Sequence, residues 1–224
     1  CVRECPAPAL KTIDGQAKFS ATRCIGCGNC ASVCSQNATQ GQSGFEDVAA
    51  LPPGPAPVAA IVAPSYPAEF DDVGAGALVA ALRRLGFARV HEVAFGADLV
   101  ARAYARLLLE DDGRYIATTC PAVVSYVRKY HPELLDRLAP IVSPMIAVAR
   151  ALHTTYGPEL KLVFVGPCIA KKGEAKYEQF DGEVDAVLTF AEFRTLVEQR
   201  GIDLPALDGD DDFDPPHGSL GSLF

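Results

Sequence analysis

The sequence predicts two structural parts, a short cysteine-rich module followed by a larger α/β domain with a mostly parallel sheet. Two observations support this prediction. Six of the eight cysteines lie within the first 34 residues. Along the rest of the chain, apolar strand-like segments alternate with helical patterns. We place the module at 1–40, a linker rich in Gly and Pro at 41–57, and the α/β domain at 58–224.

The elements of the α/β domain follow from its apolar periodicity. Helical patterns follow most of the strand-like segments, and a further helix is predicted where Ser143 forms an N-cap and Pro144 the first helical position. Such alternation favours parallel strands covered by helices. The predicted strands are 58–63, 90–95, 115–117, 161–165 and 185–188.

The composition restricts the class of protein. The 224 residues are 49% hydrophobic and 21% charged, with a mean hydropathy of +0.14, which is typical of a folded globular chain. A net charge of -8 disfavours nucleic acid as a partner, because binding to phosphates needs clustered Lys and Arg. No apolar stretch reaches the ~18 residues that a membrane span needs.

The tail at 207–224 is acidic and rich in Gly and Pro. We favour a solvated loop here, because the carboxylates lack the spacing of a calcium-binding loop. A cation-binding cluster is the alternative, and we assign the tail no function.

The first chemical motif is Cys24-x-x-Cys27-x-x-Cys30-x-x-x-Cys34. This is the run of bacterial ferredoxins, in which three thiolates bind one 4Fe–4S cubane and the fourth cysteine binds the neighbouring cluster. Zinc is the alternative, but zinc sites use paired C-x-x-C units separated by a spacer. A disulfide framework is disfavoured because the rest of the chain has ample core. The metal interpretation implies a reducing compartment, and we expect a cytoplasmic protein.

Cys1-x-x-x-Cys5-Pro6 repeats the end of the same motif. Because ligation crosses over between the two clusters, we expect Cys5 to complete the cubane that the first three cysteines of the run hold. Cys1 and Cys34 would serve the second cubane, together with two cysteines three and six residues upstream of residue 1. The sequence therefore predicts two 4Fe–4S clusters in a module that is truncated at its N-terminus.

Two glycines lie inside the cysteine run. Gly26 and Gly28 would let the backbone approach a cluster closely, so that amide hydrogens stabilise its sulfides. The alternative is that both are ordinary turn glycines.

The two remaining cysteines, Cys120 and Cys168, have similar surroundings in the sequence. Each follows a predicted strand, and Pro121 opens a helix after the first of them. Ligands gather at the carboxyl ends of parallel strands, so we expect both sulfurs at the same edge of the sheet. A helix N-terminus and the nearby Lys171 would favour the thiolate, which is the form that binds metal.

Two other roles for these cysteines stay open at this point. Each could be a small buried apolar residue, which is the common role of a lone cysteine. Each could also be a nucleophile served by His91, His131 or His153, although neither cysteine has a histidine close to it in the sequence.

The segments around Cys120 and Cys168 resemble a known family. TTCPAVVSYVRKYHPE at 118–133 and GPCIAKKGE at 166–174 are similar to the first and second active-site signatures of the iron-only (FeFe) hydrogenase large subunit. A two-cluster ferredoxin module precedes them, as in that family. The resemblance implies an α+β ferredoxin-type module followed by an FeFe-hydrogenase-like α/β domain with a mostly parallel sheet.

The resemblance also implies roles for individual residues. Cys120 and Cys168 would be two of four cysteine ligands to the cubane of the H-cluster, whose second part is a two-iron unit with carbonyl and cyanide ligands. Lys171 would hydrogen-bond a cyanide, and Glu174 would belong to the proton route. The alternative is that Lys171 and Glu174 belong to a solvated charged turn. The backbone around the ligands would be shaped by two prolines, Pro121 and Pro167.

Two positions depart from catalytic members of that family. Thr119 stands where they have a cysteine that relays protons, and a hydroxyl is a much poorer acid than a thiol. Gly166 stands where they often have Met, which would leave the two-iron unit less tightly packed. Both departures resemble the sensory branch. The third signature is absent before Phe224, so we expect an H-cluster only where a longer natural polypeptide supplies the last two ligands.

The leading hypothesis is an iron–sulfur electron-transfer protein that oxidises hydrogen or reduces protons at an H-cluster in the full-length protein. Its turnover would be weak, or its role sensory. The expected partners are a redox protein or ferredoxin, hydrogen and protons, and a signalling domain or partner. The first alternative is an iron–sulfur electron carrier or cluster-assembly factor without hydrogen chemistry. The second is a structural interaction domain without iron.

Overall fold

The structure is a computed structural model that describes residues 2–36, 38, 41–51, 57–207, 209 and 211–219. Its strands and helices are, in chain order, β1 (Leu10–Ile13), β2 (Gln16–Phe19), α1 (Asn29–Ser32), α2 (Phe45–Ala49), β3 (Val58–Val62), α3 (Tyr66–Glu69), α4 (Ala75–Arg84), β4 (Arg89–Glu92), α5 (Val93–Glu110), α6 (Pro121–Tyr130), α7 (Pro144–Tyr156), β5 (Lys161–Gly166), α8 (Ala170–Ala175), β6 (Ala186–Thr189) and α9 (Phe190–Gln199). Short 3-10 helices lie at Pro132–Arg137, Glu178–Phe180 and Leu204–Ala206.

The N-terminal module begins with an antiparallel hairpin of β1 and β2. Asp14 and Gly15 connect the two strands, and both have positive φ, at 51° and 75°, as a two-residue type I′ turn requires. The hairpin residues are mostly exposed, so the hairpin itself adds little core. The short helix α1 follows it, and this mixture of strand and helix agrees with the α+β fold expected of the module.

A parallel sheet with the strand order β4-β3-β5-β6 forms the centre of the described α/β domain. Its inner strands pair from Val58 with Lys161 to Val62 with Val165. Both inner strands are buried over nearly their whole length, which is typical of a parallel sheet covered by other elements. The predicted α/β domain with a mostly parallel sheet is therefore confirmed.

Two of the predicted strands were wrong in part. The segment 115–117 forms only an isolated bridge, between Ile116 and Leu138, and does not join the sheet. The predicted strand at 90–95 ends at Glu92, because Val93 already begins α5 and is buried on its inner face. A short apolar run fits a strand and a buried helical turn equally well, so periodicity alone does not separate them.

The main core lies between the sheet and the helices packed on it. It includes β3, β5 and the apolar faces of α4, α7 and α9. α5 packs along α7, and a Cβ added at Gly96 would lie only 2.2 Å from the Pro144 carbonyl oxygen. This contact therefore requires glycine. None of the helices in the described ranges has the length and apolar character needed to cross a membrane.

The acidic tail, in its described residues 207, 209 and 211–219, is the solvated loop that we favoured only in part, because Asp211 and Asp212 are exposed but the residues next to them dock on the sheet. Its backbone pairs with the edge strand β4, since Asp214 N donates to Val90 O at 2.7 Å and the Asp214 carboxylate accepts from Val90 N at 2.7 Å. Phe213 is buried beside Tyr66, with the ring centroids 5.5 Å apart. The tail thus covers an edge of the sheet through Phe213 and Asp214.

Candidate metal centre

The cysteine run forms a loop that turns sharply before α1. Gly26 and Gly28 have φ of 73° and 78°, a conformation that glycine adopts without steric cost. Gly26 N donates to Cys24 Sγ at 3.3 Å, and Ala38 N donates to Cys34 Sγ at 3.2 Å. Backbone N–H groups directed at sulfur stabilise the anionic thiolates that bind iron.

The segment that carries Cys5 lies beside this loop. Asn29, at the start of α1, donates from Nδ2 to the Glu4 carbonyl oxygen at 2.6 Å. This contact brings the neighbour of Cys5 next to the helix that contains Cys30, as shared ligation of one cubane would need. Cys1, the other predicted ligand of the segment, lies outside the described residues.

A cavity of about 700 Å³, here called the interdomain cavity, lies between the cysteine loop and the α/β domain. Cys24 and Cys30 line one side of it, and Pro121 and Ile169 line the other. A Cβ added at Gly28 would lie 2.9 Å from Ile169 Cδ1, so the loop approaches the domain as closely as glycine allows. The cavity therefore lies between the cysteine run and the residues that directly follow Cys120 and Cys168.

The thiolate donors around this cavity suit an iron–sulfur cluster. The described cysteines form no disulfide. Within the described ranges, no three His, Cys, Asp or Glu side chains are grouped as ligands of one metal ion. A cubane spreads its ligands over several irons, so its thiolates stand farther apart than those of a single ion.

Cys120 and Cys168 lie in neighbouring segments. Cys120 is the N-cap of α6, and Pro121 occupies the first helical position. Cys168 follows β5, and its carbonyl oxygen accepts from Lys171 N at 3.2 Å. Lys171 Nζ in turn donates to the Thr119 carbonyl oxygen at 3.3 Å. The two cysteine segments therefore meet, although only Cys168 follows a strand of the sheet.

The exposure and partners of nearby residues disfavour two alternatives for these cysteines. Cys120 is exposed and Cys168 is half-buried, so neither is a buried apolar residue. The three histidines considered as bases bind other groups, and burial lowers the pKa of His91. The partner atoms, each 3.0 Å away, are Asp214 O for His91 Nδ1, Glu133 Oε1 for His131 Nδ1 and Leu160 O for His153 Nε2.

Lys171 and Glu174 form a buried ion pair on α8. Their Nζ and Oε2 atoms are 2.6 Å apart, and the residues are only 8% and 3% exposed. They do not belong to a solvated turn, which was the alternative for both. Burying charges is costly unless they are paired. The pair thus places a cation and a carboxyl group where the Cys120 and Cys168 segments meet.

The other predicted positions have clear surroundings. Pro167 connects β5 to Cys168 and is exposed. At Gly166, an added Cβ would lie 2.6 Å from the Phe164 ring and 2.8 Å from Ala63 Cβ. The space in that direction is therefore already filled by the chain itself.

A second cavity, of about 190 Å³, lies beside Glu174. Thr118 and Ser143 line it together with Glu174, and the Ser143 Oγ atom is buried without a hydrogen-bond partner in the part of the chain described. Arg128 and Gln179, which are exposed, also line this cavity. Most of the lining is apolar, but the polar groups of Thr118, Ser143 and Glu174 meet in a cavity that has room for water between the buried carboxyl group and the surface.

Sequence reasoning missed a second ion pair, between the buried Lys172 and the half-buried Glu192. Lys172 Nζ lies 2.6 Å from Glu192 Oε1 and donates to Gln42 O at 2.7 Å. The same carboxylate accepts from Gly44 N at 2.8 Å and Thr189 N at 2.7 Å. Burial raises the pKa of Glu192. The hydrogen bonds to its carboxylate, of which the one from Lys172 has the largest effect, together outweigh burial and hold the pKa below its ordinary value.

A local signal could have revealed half of this pair. Thr189 and Glu192 have the spacing of a capping box at the start of α9, and both reciprocal hydrogen bonds are present. No local pattern indicates that Lys172, rather than the adjacent Lys171, is the partner of Glu192. The pair ties the segment after the cysteine run to α8 and α9.

A loop with ferredoxin spacing beside a parallel α/β domain defines the chain as an iron–sulfur protein of two parts. A family model described as a 4Fe-4S binding domain matches residues 17–39. A model described as the iron only hydrogenase large subunit, C-terminal domain, matches residues 56–221. The second match covers most of the chain. The chain therefore belongs to the iron-only hydrogenase large subunit family.

Individual relatives agree with this assignment. The NADP-reducing hydrogenase subunit HndD of Solidesulfovibrio fructosivorans is 32% identical over 88% of this chain and 39% of its own length. The cytosolic Fe-S cluster assembly factor NAR1 of Kluyveromyces lactis is 32% identical over 42% of this chain and 20% of its own. A structure of a variant FeFe-hydrogenase HydA1 from Chlamydomonas reinhardtii matches 79% of this chain and 50% of that chain, with a TM-score of 0.61 and 26% identity. The chain thus spans half or less of the length of these relatives.

Proposed function

We propose that this chain passes electrons through 4Fe–4S clusters to an H-cluster, where the longer protein oxidises hydrogen or reduces protons. The observation that carries the proposal is the hydrogen bond from Lys171 to Thr119, which holds the Cys120 and Cys168 segments together beside a cavity that the cysteine loop also lines. The domains would be 1–40 for cluster binding, 41–57 as a linker that carries α2 and packs against the core, and 58–224 for the active site.

In the N-terminal module, the thiolates of the cysteine run would hold the clusters. When bound, such clusters supply single-electron transfer. The amide hydrogen bonds to Cys24 and Cys34 support these two as thiolate ligands, because they stabilise negative charge on sulfur. The ligands of one cluster would be Cys5, Cys24, Cys27 and Cys30, and those of the second would include Cys1 and Cys34.

In the α/β domain, Cys120 and Cys168 would supply two of the four cysteine ligands of the H-cluster. When bound, its two-iron unit supplies hydrogen activation. Pro121 and Pro167, next to the two ligands, would restrict the backbone there. The buried ammonium of Lys171 suits an anionic ligand, since charge-assisted hydrogen bonds are strong where water is excluded.

Glu174 would exchange protons between this region and solvent. Its carboxyl group is buried, yet it lines the 190 Å³ cavity that Arg128 and Gln179 join to the surface. A carboxyl group with water on one side and a reacting site on the other is suited to general acid–base transfer. Thr119, whose hydroxyl replaces a thiol at the relay position, would make this transfer slow, as expected of a sensor.

The first experiment is anaerobic reconstitution of the chain with iron and sulfide. We expect bound iron and sulfide, and an EPR signal of a reduced 4Fe–4S cluster. Cys27→Ser should lose most of that signal, because serine is a poor replacement for a thiolate ligand. Ser35→Ala, an exposed change in the same loop, is the matched control and should behave like the parent. A parent chain that takes up no iron would overturn the proposal.

The second experiment uses the longer natural protein after maturation. Infrared spectroscopy should show carbonyl and cyanide bands, and Cys120→Ser should abolish them. Thr119→Cys should raise hydrogen turnover by on the order of 100-fold, because a positioned proton donor contributes roughly that much. Bands that are absent from the parent would favour the second candidate function.

That second candidate is an iron–sulfur electron carrier or cluster-assembly factor without hydrogen chemistry. The similarity to the assembly factor NAR1 supports it. The name of that relative also supports a cytoplasmic location for this chain. In both cases the partner would be a redox protein or ferredoxin, and in the sensory case a signalling domain as well.

A further inference from the structure

The last turn of α6 contacts the cysteine loop through two side chains. Lys129 Nζ donates to the Cys24 carbonyl oxygen at 2.5 Å, and Tyr130 Oη donates to the Arg23 carbonyl oxygen at 2.6 Å. Both acceptors are backbone carbonyls of consecutive residues at the start of the cysteine run. Because Cys120 caps the other end of α6, this one helix connects the two predicted cluster sites.

Lys129 also lines the interdomain cavity together with Cys24 and Cys30. The other lysine of that lining, Lys172, has its charge balanced by Glu192 at 2.6 Å. No carboxylate within the described ranges forms an ion pair of this kind with Lys129. Lys129 therefore contributes the unbalanced positive charge in this described lining.

A fixed positive charge affects the redox equilibrium of a neighbouring cluster. A thiolate-bound cubane becomes more negative when it accepts an electron. An ammonium close by lowers the energy of the more negative state by Coulomb attraction, and this effect weakens as salt screens it. Hydrogen bonding near the ligand sulfurs acts in the same direction.

We propose that Lys129 positions the loop that carries Cys24, Cys27 and Cys30, and that its ammonium makes a cluster bound there easier to reduce. The inference rests on the proposed function, because it needs a cluster at this site. Tyr130 fixes the same loop without adding charge. A cluster that is easier to reduce at this place collects electrons at the face of the α/β domain.

The test is an EPR-monitored redox titration of the reconstituted full chain. Lys129→Met should lower the equilibrium constant for reduction of the cluster about threefold or more. At 59 mV per tenfold change, this is a shift of the reduction potential by ~28 mV to a more negative value. The shift should shrink at high salt, as a purely structural role would not predict. Lys129→Arg keeps the charge and should keep the potential of the parent.

Two control variants separate charge from position. Tyr130→Phe removes the hydrogen bond to Arg23 without changing charge, and should leave the potential unchanged. Lys11→Met removes an exposed charge from the hairpin and should also leave it unchanged. An equal shift in Lys11→Met would overturn the inference, because net charge alone would then explain the result.

The outcomes distinguish this inference from the proposed function. A parent chain without iron overturns the proposed function. A Lys129→Met variant with full iron and the potential of the parent overturns only the role of Lys129. If Lys129→Met binds less iron, recovery of iron and potential in Lys129→Arg supports the inference, and the same loss in Lys129→Arg overturns it.

Discussion

At Gly28 a single residue decides how closely the cysteine loop approaches the α/β domain. Its φ is 78°, and an added Cβ would lie 2.9 Å from Ile169 Cδ1. Gly28→Ala should therefore destabilise the fold by about 1–2 kcal/mol from the left-handed backbone, and by more where the contact with Ile169 is not relieved. The free energy of urea unfolding measures this loss.

Gly173→Ala is the matched control for this prediction. Gly173 lies in α8, lines the same cavity, has no positive φ and has nothing within 4 Å of an added Cβ. Alanine favours a helix over glycine by roughly 0.5–1 kcal/mol, so this variant should be as stable as the parent or more so. Equal losses in the two variants would contradict the role given to Gly28.

Residues whose role depends on a local sequence motif could be predicted. Residues whose role depends on a contact with a distant part of the chain could not. The cysteine run and the two glycines within it are visible in eleven consecutive residues, 24–34. Lys129 lies 105 residues from its partner Cys24, so no local pattern relates them. The burial of Lys171 and Glu174 was likewise hidden, because the charged run around them is typical of a solvated turn.

At the level of elements, the start of α9 depends on Glu192. Removing this carboxylate leaves the buried Lys172 ammonium without its charged partner and with only the Gln42 carbonyl oxygen to accept from it. Breaking such a pair typically costs about 3–5 kcal/mol. Removing the carboxylate also leaves Gly44 N and Thr189 N without their acceptor. We expect Glu192→Ala to lower the free energy of unfolding by about that amount at neutral pH.

The ion pair between Lys172 and Glu192 predicts that the free energy of unfolding depends on pH. The folded-state pKa of Glu192 lies below its ordinary value of 4.5, so its stabilising contribution is complete above pH 4.5 and is lost as pH falls through the folded pKa. The stability gap between the parent and Glu192→Ala should therefore narrow in acid. Glu198→Ala, an exposed change in the same helix, should cost less than about 0.5 kcal/mol at every pH. A gap that stays constant down to the acid range would contradict this assignment.

The sequence predicted strands correctly where a continuous apolar run was long. The prediction failed where the run was short. β3 and β5 were predicted within a residue of their ends, because they are continuous apolar runs between breaks. The segment 115–117 has the same local character but pairs only at Ile116. The structure of this segment depends on the residues that pack beside it, and a single sequence does not reveal which residues those are.

At the scale of the whole molecule, long-range polar contacts hold separate parts of the chain together. Lys172 and Glu192 join the segment after the cysteine run to the α/β domain. The docked tail covers β4 at the other edge of the sheet, and the sequence indicated only a polar, flexible composition there. Composition does not reveal docking, because the same carboxylates suit solvent and a backbone N–H equally well.

The docked tail makes a prediction that concerns the sheet as a unit. Asp214→Ala removes the acceptor of Val90 N and the partner of Arg83, 3.2 Å away. An unsatisfied buried N–H costs about 1–3 kcal/mol, and a loosened tail exposes an edge strand that promotes association. We expect Asp214→Ala to lower the free energy of urea unfolding by that amount. Light scattering should show that copies of this variant associate more than copies of the parent. Asp211→Ala changes a more exposed carboxylate, 4.0 Å from Arg83, and should cost under about 1 kcal/mol. If the two variants were equally stable and equally monomeric, the tail would not be covering β4.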